Sequence, residues 1–162
     1  MGVRPLLFVD VDGVLNPYAA ATCPEGYVEH DVFPGEEPVR LCAGHGPWLH
    51  ELAGAFELVW GTGWDEAGRR ILVERLALPE IGRGMLLTGP FHPRDKVPAI
   101  ATLARGRALA WIDDLLGPEA IEWAATRAWP TRLVPVDPER GLDRSHVELL
   151  LRWAATLAET GP

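Results

Sequence analysis

The stretch Leu6-Leu7-Phe8-Val9-Asp10-Val11-Asp12-Gly13-Val14-Leu15-Asn16 decides how the chain is read. Its apolar opening reads as a short buried strand, of the kind a parallel sheet covers on both faces. Asp10 and Asp12 follow directly off its end. Residues two apart in extended backbone point to the same side, so a strand ending near Asp10 sends both carboxylates into one space at the carboxyl end of a sheet. Open α/β sheets bind their ligands there. Crowded carboxylates repel one another, and a divalent cation or a shared proton relieves them. Gly13 permits a sharp turn or a close backbone approach. Taken alone, Asp12-Gly13 reads equally well as a plain turn, so the rest of the chain has to decide.

A length of 162 residues suits one domain over 1–162 with one core. Hydrophobic residues make up 48% and charged residues 23%, as in ordinary globular proteins. No apolar run is long enough to span a bilayer, and Met1-Gly2-Val3-Arg4-Pro5 leads straight into the first strand without a secretory pattern, so the expected location is cytoplasmic, away from membranes. Cys23 and Cys42 have no paired spacing and suggest neither a disulfide framework nor a zinc site. The net charge of −8, from 15 basic and 23 acidic residues, argues against broad nucleic-acid binding. It leaves room for a small anionic substrate, because a metal and one lysine can set the local field.

Residues 17–46 read as a turn-rich insertion, with a β-hairpin of 27–33 and 39–41 about a Pro34-Gly35-Glu36-Glu37 turn. A short helix follows from Gly46-Pro47 to about residue 55. Residues 56–60 read as a second core strand, ending in Gly61-Thr62-Gly63-Trp64. The next helix covers about 65–77, with Ala67, Ile71, Leu72 and Leu76 on or near one face. Residues 85–88 form a weak third strand, and Asp95 reads as the N-cap of a helix from Lys96 to about residue 105. A fourth strand, 108–112, ends in Asp113-Asp114, and Pro118 starts a helix to about residue 128. The fifth strand, 132–136, carries Pro135 and so belongs at a sheet edge. Asp143 caps a last helix striped by Val147, Leu150, Leu151, Ala154 and Leu157. Alternating strands and helices imply an α/β fold with a parallel sheet covered on both faces.

Asp10-Val11-Asp12-Gly13-Val14 resembles the first motif of the haloacid dehalogenase-like (HAD) superfamily, a large group dominated by phosphatases. Thr62 after the second strand, Lys96 opening a helix in the third unit, and Asp113-Asp114 after the fourth strand follow in that family's order, over nearly the whole chain. The resemblance implies a Rossmann-like three-layer sandwich with a central five-stranded sheet in the order 5-4-1-2-3. It implies that Asp10 is a nucleophile that becomes an aspartyl-phosphate and that Asp12 is the general acid and base. Thr62 would hold phosphate oxygens and Lys96 would offset the accumulating charge, completing a catalytic set of Asp10, Asp12, Thr62 and Lys96. Substrate contacts fall to Thr62, Gly63, Trp64, Lys96 and Arg94, with His92 nearby. Mg²⁺ would be held by Asp10, Asp12 through its backbone carbonyl, Asp113 and Asp114, with Asp113 the nearer of the last two.

Each residue also has a plainer reading. Thr62 with Asp65 matches a capping box. Lys96 is an ordinary residue on a helix, although a cation in the first turn opposes the macrodipole and asks for another partner. Trp60, Trp64 and Trp111 read first as packing, with Trp64 the best exception because it lies just past the phosphate loop. His30 and His45 lack metal-ligand spacing. Phosphorelay receiver domains use the same residue types, but their acidic pair comes first and the acceptor Asp later. The reading is therefore a Mg²⁺-dependent phosphomonoester hydrolase acting on a small-molecule phosphate ester. One alternative is a 3′- or 5′-end phosphatase of polynucleotides, because the chain more loosely resembles HAD domains joined to RNA-repair enzymes. The other is a non-catalytic phospho-ligand binding protein, against which Asp12 argues. Residues 17–46 are expected to form a minimal cap or flap, with Tyr27, His30 and Phe33 as candidate substrate contacts. So small a cover leaves the mouth open and suits a large substrate or completion by a second subunit, in a monomer or homodimer.

Overall fold

The computed structural model describes residues 3–85, 87 and 89–159. Its sheet is built outward from β1 (Leu6–Val9), every residue of which is buried. β1 is flanked in parallel by β4 (Glu57–Trp60) on one side and β5 (Leu109–Asp113) on the other, and β6 (Thr131–Pro135) pairs with β5 at the edge. The strand order is β4-β1-β5-β6. The period-2 alternation of β1 divides the interior into two apolar layers. Leu7 and Val9 face a cluster with Leu49, Leu52, Leu72 and Val147, supplied by α1 (His45–Ala55), α2 (Glu66–Leu76) and α5 (Arg144–Glu159). Leu6 and Phe8 face the opposite cluster with Ile100, Ala104, Trp111 and Ala120, covered by α3 (Lys96–Leu103) and α4 (Pro118–Thr126). The three-layer α/β arrangement follows from a strand apolar on both faces.

The expected five-stranded sheet in the order 5-4-1-2-3 is not what forms: among the described residues the sheet has four strands. They are the strands read as first, second, fourth and fifth. Of the segment read as third, 85–88, Leu86 and Thr88 lie outside the described residues. Just before it one parallel bridge joins Val59 to Gly82, with Gly82 N–H donating to the Leu58 carbonyl at 2.9 Å, and Met85 N–H still donates to the Trp60 carbonyl of β4 at 3.4 Å. Gly84 then turns into the left-handed region at φ 78°, which ends the extended run. Pro135 sits on the edge strand, where its missing N–H breaks no ladder.

The insertion folds as the antiparallel hairpin β2 (Tyr27–His30) and β3 (Val39–Cys42). Helix ends differ from the sequence reading in detail. Asp95 precedes α3 but its side chain caps nothing there; it accepts from His92 N–H at 2.8 Å within a short 3-10 turn, Pro93–Asp95. Ala67 is exposed, and the buried face of α2 runs through Gly68, Leu72 and Leu76 instead. Asp143 does cap α5, accepting from Ser145 N–H at 2.9 Å. No helix among the described residues is long and apolar enough to cross a membrane.

Candidate active site

Asp10 is the first residue beyond β1, and its N–H still donates to the Ile112 carbonyl of β5 at 3.2 Å. The sheet thus fixes the Asp10 backbone beside Asp113, the last residue of β5. Lys96 opens α3 and reaches between them: Nζ stands 3.1 Å from Asp10 Oδ2 and 2.6 Å from Asp113 Oδ2. All three side chains are almost completely buried. This explains a cation in a helix's first turn, because two carboxylates outweigh one helix dipole. Burial disfavours the ammonium, but Asp10 and Asp113 more than reverse that and hold the Lys96 pKa above its ordinary value. Burial, reinforced by Asp113 and opposed by Lys96, raises the Asp10 pKa well above the usual carboxylate range.

The two aspartates after β5 differ in their surroundings. Asp113 has both oxygens engaged by the protein: Oδ2 accepts from Lys96 and from Trp111 Nε1 (3.1 Å), and Oδ1 from Leu115 N–H (2.9 Å). Asp114 is half-buried and lines the cleft, and its Oδ2 accepts from the Tyr18 hydroxyl at 3.1 Å. Burial and the neighbouring Asp113 charge raise its pKa. The carboxylate packs on the turn at Gly13, where φ is 82° and a Cβ would lie 2.2 Å from Asp114 Cγ. Only glycine allows that approach.

Oxygens of Asp10, Asp113 and Asp114 lie within 4.8 Å of one another. Together with Asp12, four carboxylates face a single ammonium, Lys96. An all-oxygen donor set carrying surplus negative charge fits a hard divalent cation. A Cβ-free turn pressed against one of the carboxylates adds to that fit.

Asp12 stands at the side of the cleft, with Oδ1 accepting from Asn16 Nδ2 and Oδ2 from Trp64 Nε1, each at 2.9 Å. Thr62 follows β4 and is buried; its Oγ1 accepts from Trp64 N–H at 3.2 Å. The helix cap predicted for Thr62 is not made, since Asp65 caps α2 by accepting from Gly68 N–H at 2.8 Å. Gly63 lies under Phe91, whose Cε1 a Cβ at that position would meet at 2.2 Å.

These groups line one open cleft of about 990 Å³. It holds Asp10, Asp12, Thr62, Gly63, Trp64, Lys96 and Asp114, with Asp113 beneath its floor. Arg94 is not in it: with His92 it lines a neighbouring groove of about 480 Å³ that shares Pro93, Asp114 and Leu115 as walls. Of the hairpin residues singled out from the sequence, only Phe33 lines the cleft. Tyr27 instead donates to the Arg140 carbonyl at 3.1 Å, on the far side of the hairpin, and His30 is also outside. Sequence reasoning did not find Asn16, Tyr18, Glu36, Glu37, Arg40 or Phe91, which complete the walls. Asn16 and Tyr18 lie within eight residues of Asp10, a proximity that would have flagged them.

No curated protein and no solved structure matches the chain. A family model described as the HAD domain in Swiss Army Knife RNA repair proteins matches residues 6–147, from the first residue of β1 into α5. That span contains every one of the cleft residues above, and on it the chain belongs to the HAD superfamily, in the family of HAD domains of Swiss Army Knife RNA repair proteins.

Proposed function

We propose that the chain is a divalent-cation-dependent phosphomonoester hydrolase working through an aspartyl-phosphate on Asp10. The observation that carries this reading is Lys96 Nζ held between Asp10 and Asp113 at the floor of an open cleft, with a second carboxylate, Asp12, two residues beyond Asp10. Asp10 Oδ attacks phosphorus and the P–O bond to the leaving group breaks. Asp12 gives the departing oxygen a proton. A water then attacks the phosphorus of the acyl-phosphate, returns a proton to Asp12, and releases inorganic phosphate and free Asp10. Thr62 and the backbone N–H groups beside it hold the phosphoryl oxygens, and Lys96 offsets their charge.

Asp10, Asp114 and the Asp12 backbone carbonyl would hold Mg²⁺, which when bound neutralises the phosphate and lowers the repulsion between the carboxylates. Both Asp113 oxygens already accept hydrogen bonds from the protein, so Asp113 would act chiefly by fixing Lys96. The hairpin over residues 17–46 serves as a minimal cap that leaves the mouth open.

A second reading, in which the ester is the phosphorylated end of a polynucleotide, is favoured by the family's description and by the aromatic side chains Tyr18, Phe33, Trp64 and Phe91 around the cleft, which suit a stacked base. Glu36 and Glu37 on the same wall favour the small ester. The test is phosphate release from a panel of metabolite, nucleotide and oligonucleotide-end phosphates with Mg²⁺ present. Asp10→Asn, a near-isosteric change, is expected to retain the fold and lower kcat by roughly 10⁴-fold or more. Wild-type turnover by Asp10→Asn would rule out the covalent route.

A further inference from the structure

We propose that Trp64 and Asn16 are positioning residues for Asp12, and that the β2–β3 hairpin sets that position and so governs proton delivery to the leaving group. The inference rests on the acid role given to Asp12 above. Each oxygen of Asp12 accepts one N–H, from Asn16 Nδ2 and from Trp64 Nε1, both at 2.9 Å. A carboxylate has about four acceptor sites, so a site on each oxygen remains for the proton exchanged with the leaving group. Two fixed donors determine where those remaining sites point.

Both donors also contact the hairpin. Asn16 Oδ1 accepts the backbone N–H of Arg40, on β3, at 3.0 Å. The Arg40 guanidinium binds the Pro17 and Ala20 carbonyls at 3.3 and 2.7 Å and pairs with Glu29 of β2 at 3.3 Å, tying the hairpin to the loop after Asn16. On the other side, the Trp64 ring meets Phe33, just beyond β2, edge to face at 4.8 Å between centroids and 72° between planes. Gly68 makes room for that pair, since a Cβ there would stand 3.0 Å from both Phe33 Cζ and Trp64 Cε3. Asp10 hangs from the sheet, whereas each oxygen of Asp12 is bonded by a side chain that itself contacts the hairpin. A substrate that moves the hairpin therefore moves the acid, and a displacement of about 1 Å at a catalytic group can cost on the order of 10²-fold in rate.

The test is the leaving-group dependence of kcat for the full-length chain with Mg²⁺. p-Nitrophenyl phosphate expels a phenolate that needs little protonation, while glycerol 2-phosphate expels an alkoxide that needs the acid. Asp12→Ala sets the benchmark for a lost acid. Trp64→Phe keeps one aromatic ring near Phe33 while removing the N–H donor together with part of the indole. It is expected to lower kcat on the alkyl ester about 30-fold, part of the roughly 10²–10⁴-fold that general acid catalysis supplies, and about threefold or less on the aryl ester, with KM shifted less than about twofold. Phe33→Ala, at a partly buried position between the hairpin strands, is expected to show the same bias at roughly a third of the size, and it decides the matter if Trp64→Phe does not fold.

Equal losses on the two esters, a loss confined to KM, or no loss would overturn the proposal and leave Trp64 as packing or a substrate contact. An unbiased Asp12→Ala, or a wild type with no turnover, is a different failure: the acid reading itself then falls, and this inference with it. A biased Asp12→Ala beside an unbiased Trp64→Phe overturns the positioning alone.

Discussion

Asp10 and Asp113 extend from strands buried along their whole length, Leu-Leu-Phe-Val and Leu-Ala-Trp-Ile-Asp, while in the hairpin beside them only Val39 and Leu41 are buried and Val28 is 61% exposed. The floor of the cleft gains its geometry from two apolar layers that cannot shift without opening voids. The hairpin is held by a short antiparallel ladder, the Arg40 hydrogen bonds, the aromatic contacts Phe33–Trp64 and Tyr27–His45, and two buried side chains, Val39 and Leu41, far fewer anchors than the floor has. Under the proposed phosphatase reading, the groups that would meet a phosphorus atom sit on the rigid region, and those that would choose a substrate sit where the backbone can adapt.

The sharpest way to break this contrast is to remove one side chain from each region. Phe8 is fully buried, pairs in register with Val59 and Trp111, and packs in the cluster that carries α3 and hence Lys96. Phe8→Ala is expected to cost about 3–5 kcal/mol, a large fraction of a typical domain's stability. Val28→Ala on the hairpin is expected to stay within about 0.5 kcal/mol. Urea titration of both variants checks the pair, and comparable losses would mean that the hairpin is part of the core.

That difference also explains what could be read from the sequence. The floor was legible because its signals are local: an apolar run ending in Asp10, a helix opening on Lys96, a strand ending in Asp113-Asp114. The outer strand departs from the sequence reading: Met85 and Leu87 look like strand residues, but Gly84 takes a left-handed conformation that the sequence does not announce, and Leu86 and Thr88 lie outside the described residues. Arg94 is two residues from Lys96, yet the 3-10 turn between them sends it to the adjoining groove. Tyr27 and Phe33 were indistinguishable as flap aromatics, because only the folded hairpin decides which of them turns to the cleft. The Trp64–Asp12 hydrogen bond joins residues 52 positions apart, and no local pattern announces it.

A smaller effect tests the hairpin's far side. His45 is buried at the start of α1, where its Nε2 bonds with the Leu142 carbonyl at 3.0 Å and Tyr27 meets it edge on. Burial lowers its pKa from 6.5 to about 4. Below pH 6.5 the unfolded chain therefore binds a proton that the fold refuses, so stability falls as pH drops from about 6.5 and levels off below about 4. The full difference is about 3 kcal/mol. Thermal melts of wild type and His45→Gln between those limits should converge as pH falls, and parallel curves would remove His45 as the source.

Smaller again is the split between Asp113 and Asp114. Calorimetric titration of Mg²⁺ should show Asp114→Ala binding about 10–100-fold more weakly, as expected for losing a ligand or its support. Asp113→Ala should retain more of the affinity and instead lose stability, because Lys96 is left with one buried partner in place of two. Undiminished binding in Asp114→Ala would return the ligand role to Asp113.

The smallest effect separates the two substrate readings. Glu36 and Glu37 are exposed on the hairpin turn and line the cleft, so a polynucleotide would bring its phosphates against them while a small ester would lie deeper, near Lys96. Charges this exposed interact through water and are screened within about 10 Å at 0.1 M salt. Glu36→Gln combined with Glu37→Gln should therefore lower KM for an end-phosphorylated oligonucleotide only a few-fold, about threefold at low salt, and the gain should fade as salt is raised. KM for p-nitrophenyl phosphate should hold within about 1.5-fold, since its one phosphate is consumed at the floor. Equal changes for both substrates would place the small ester against the hairpin turn as well, and the hairpin would then be a wall of the phosphoryl site and not a filter at its mouth.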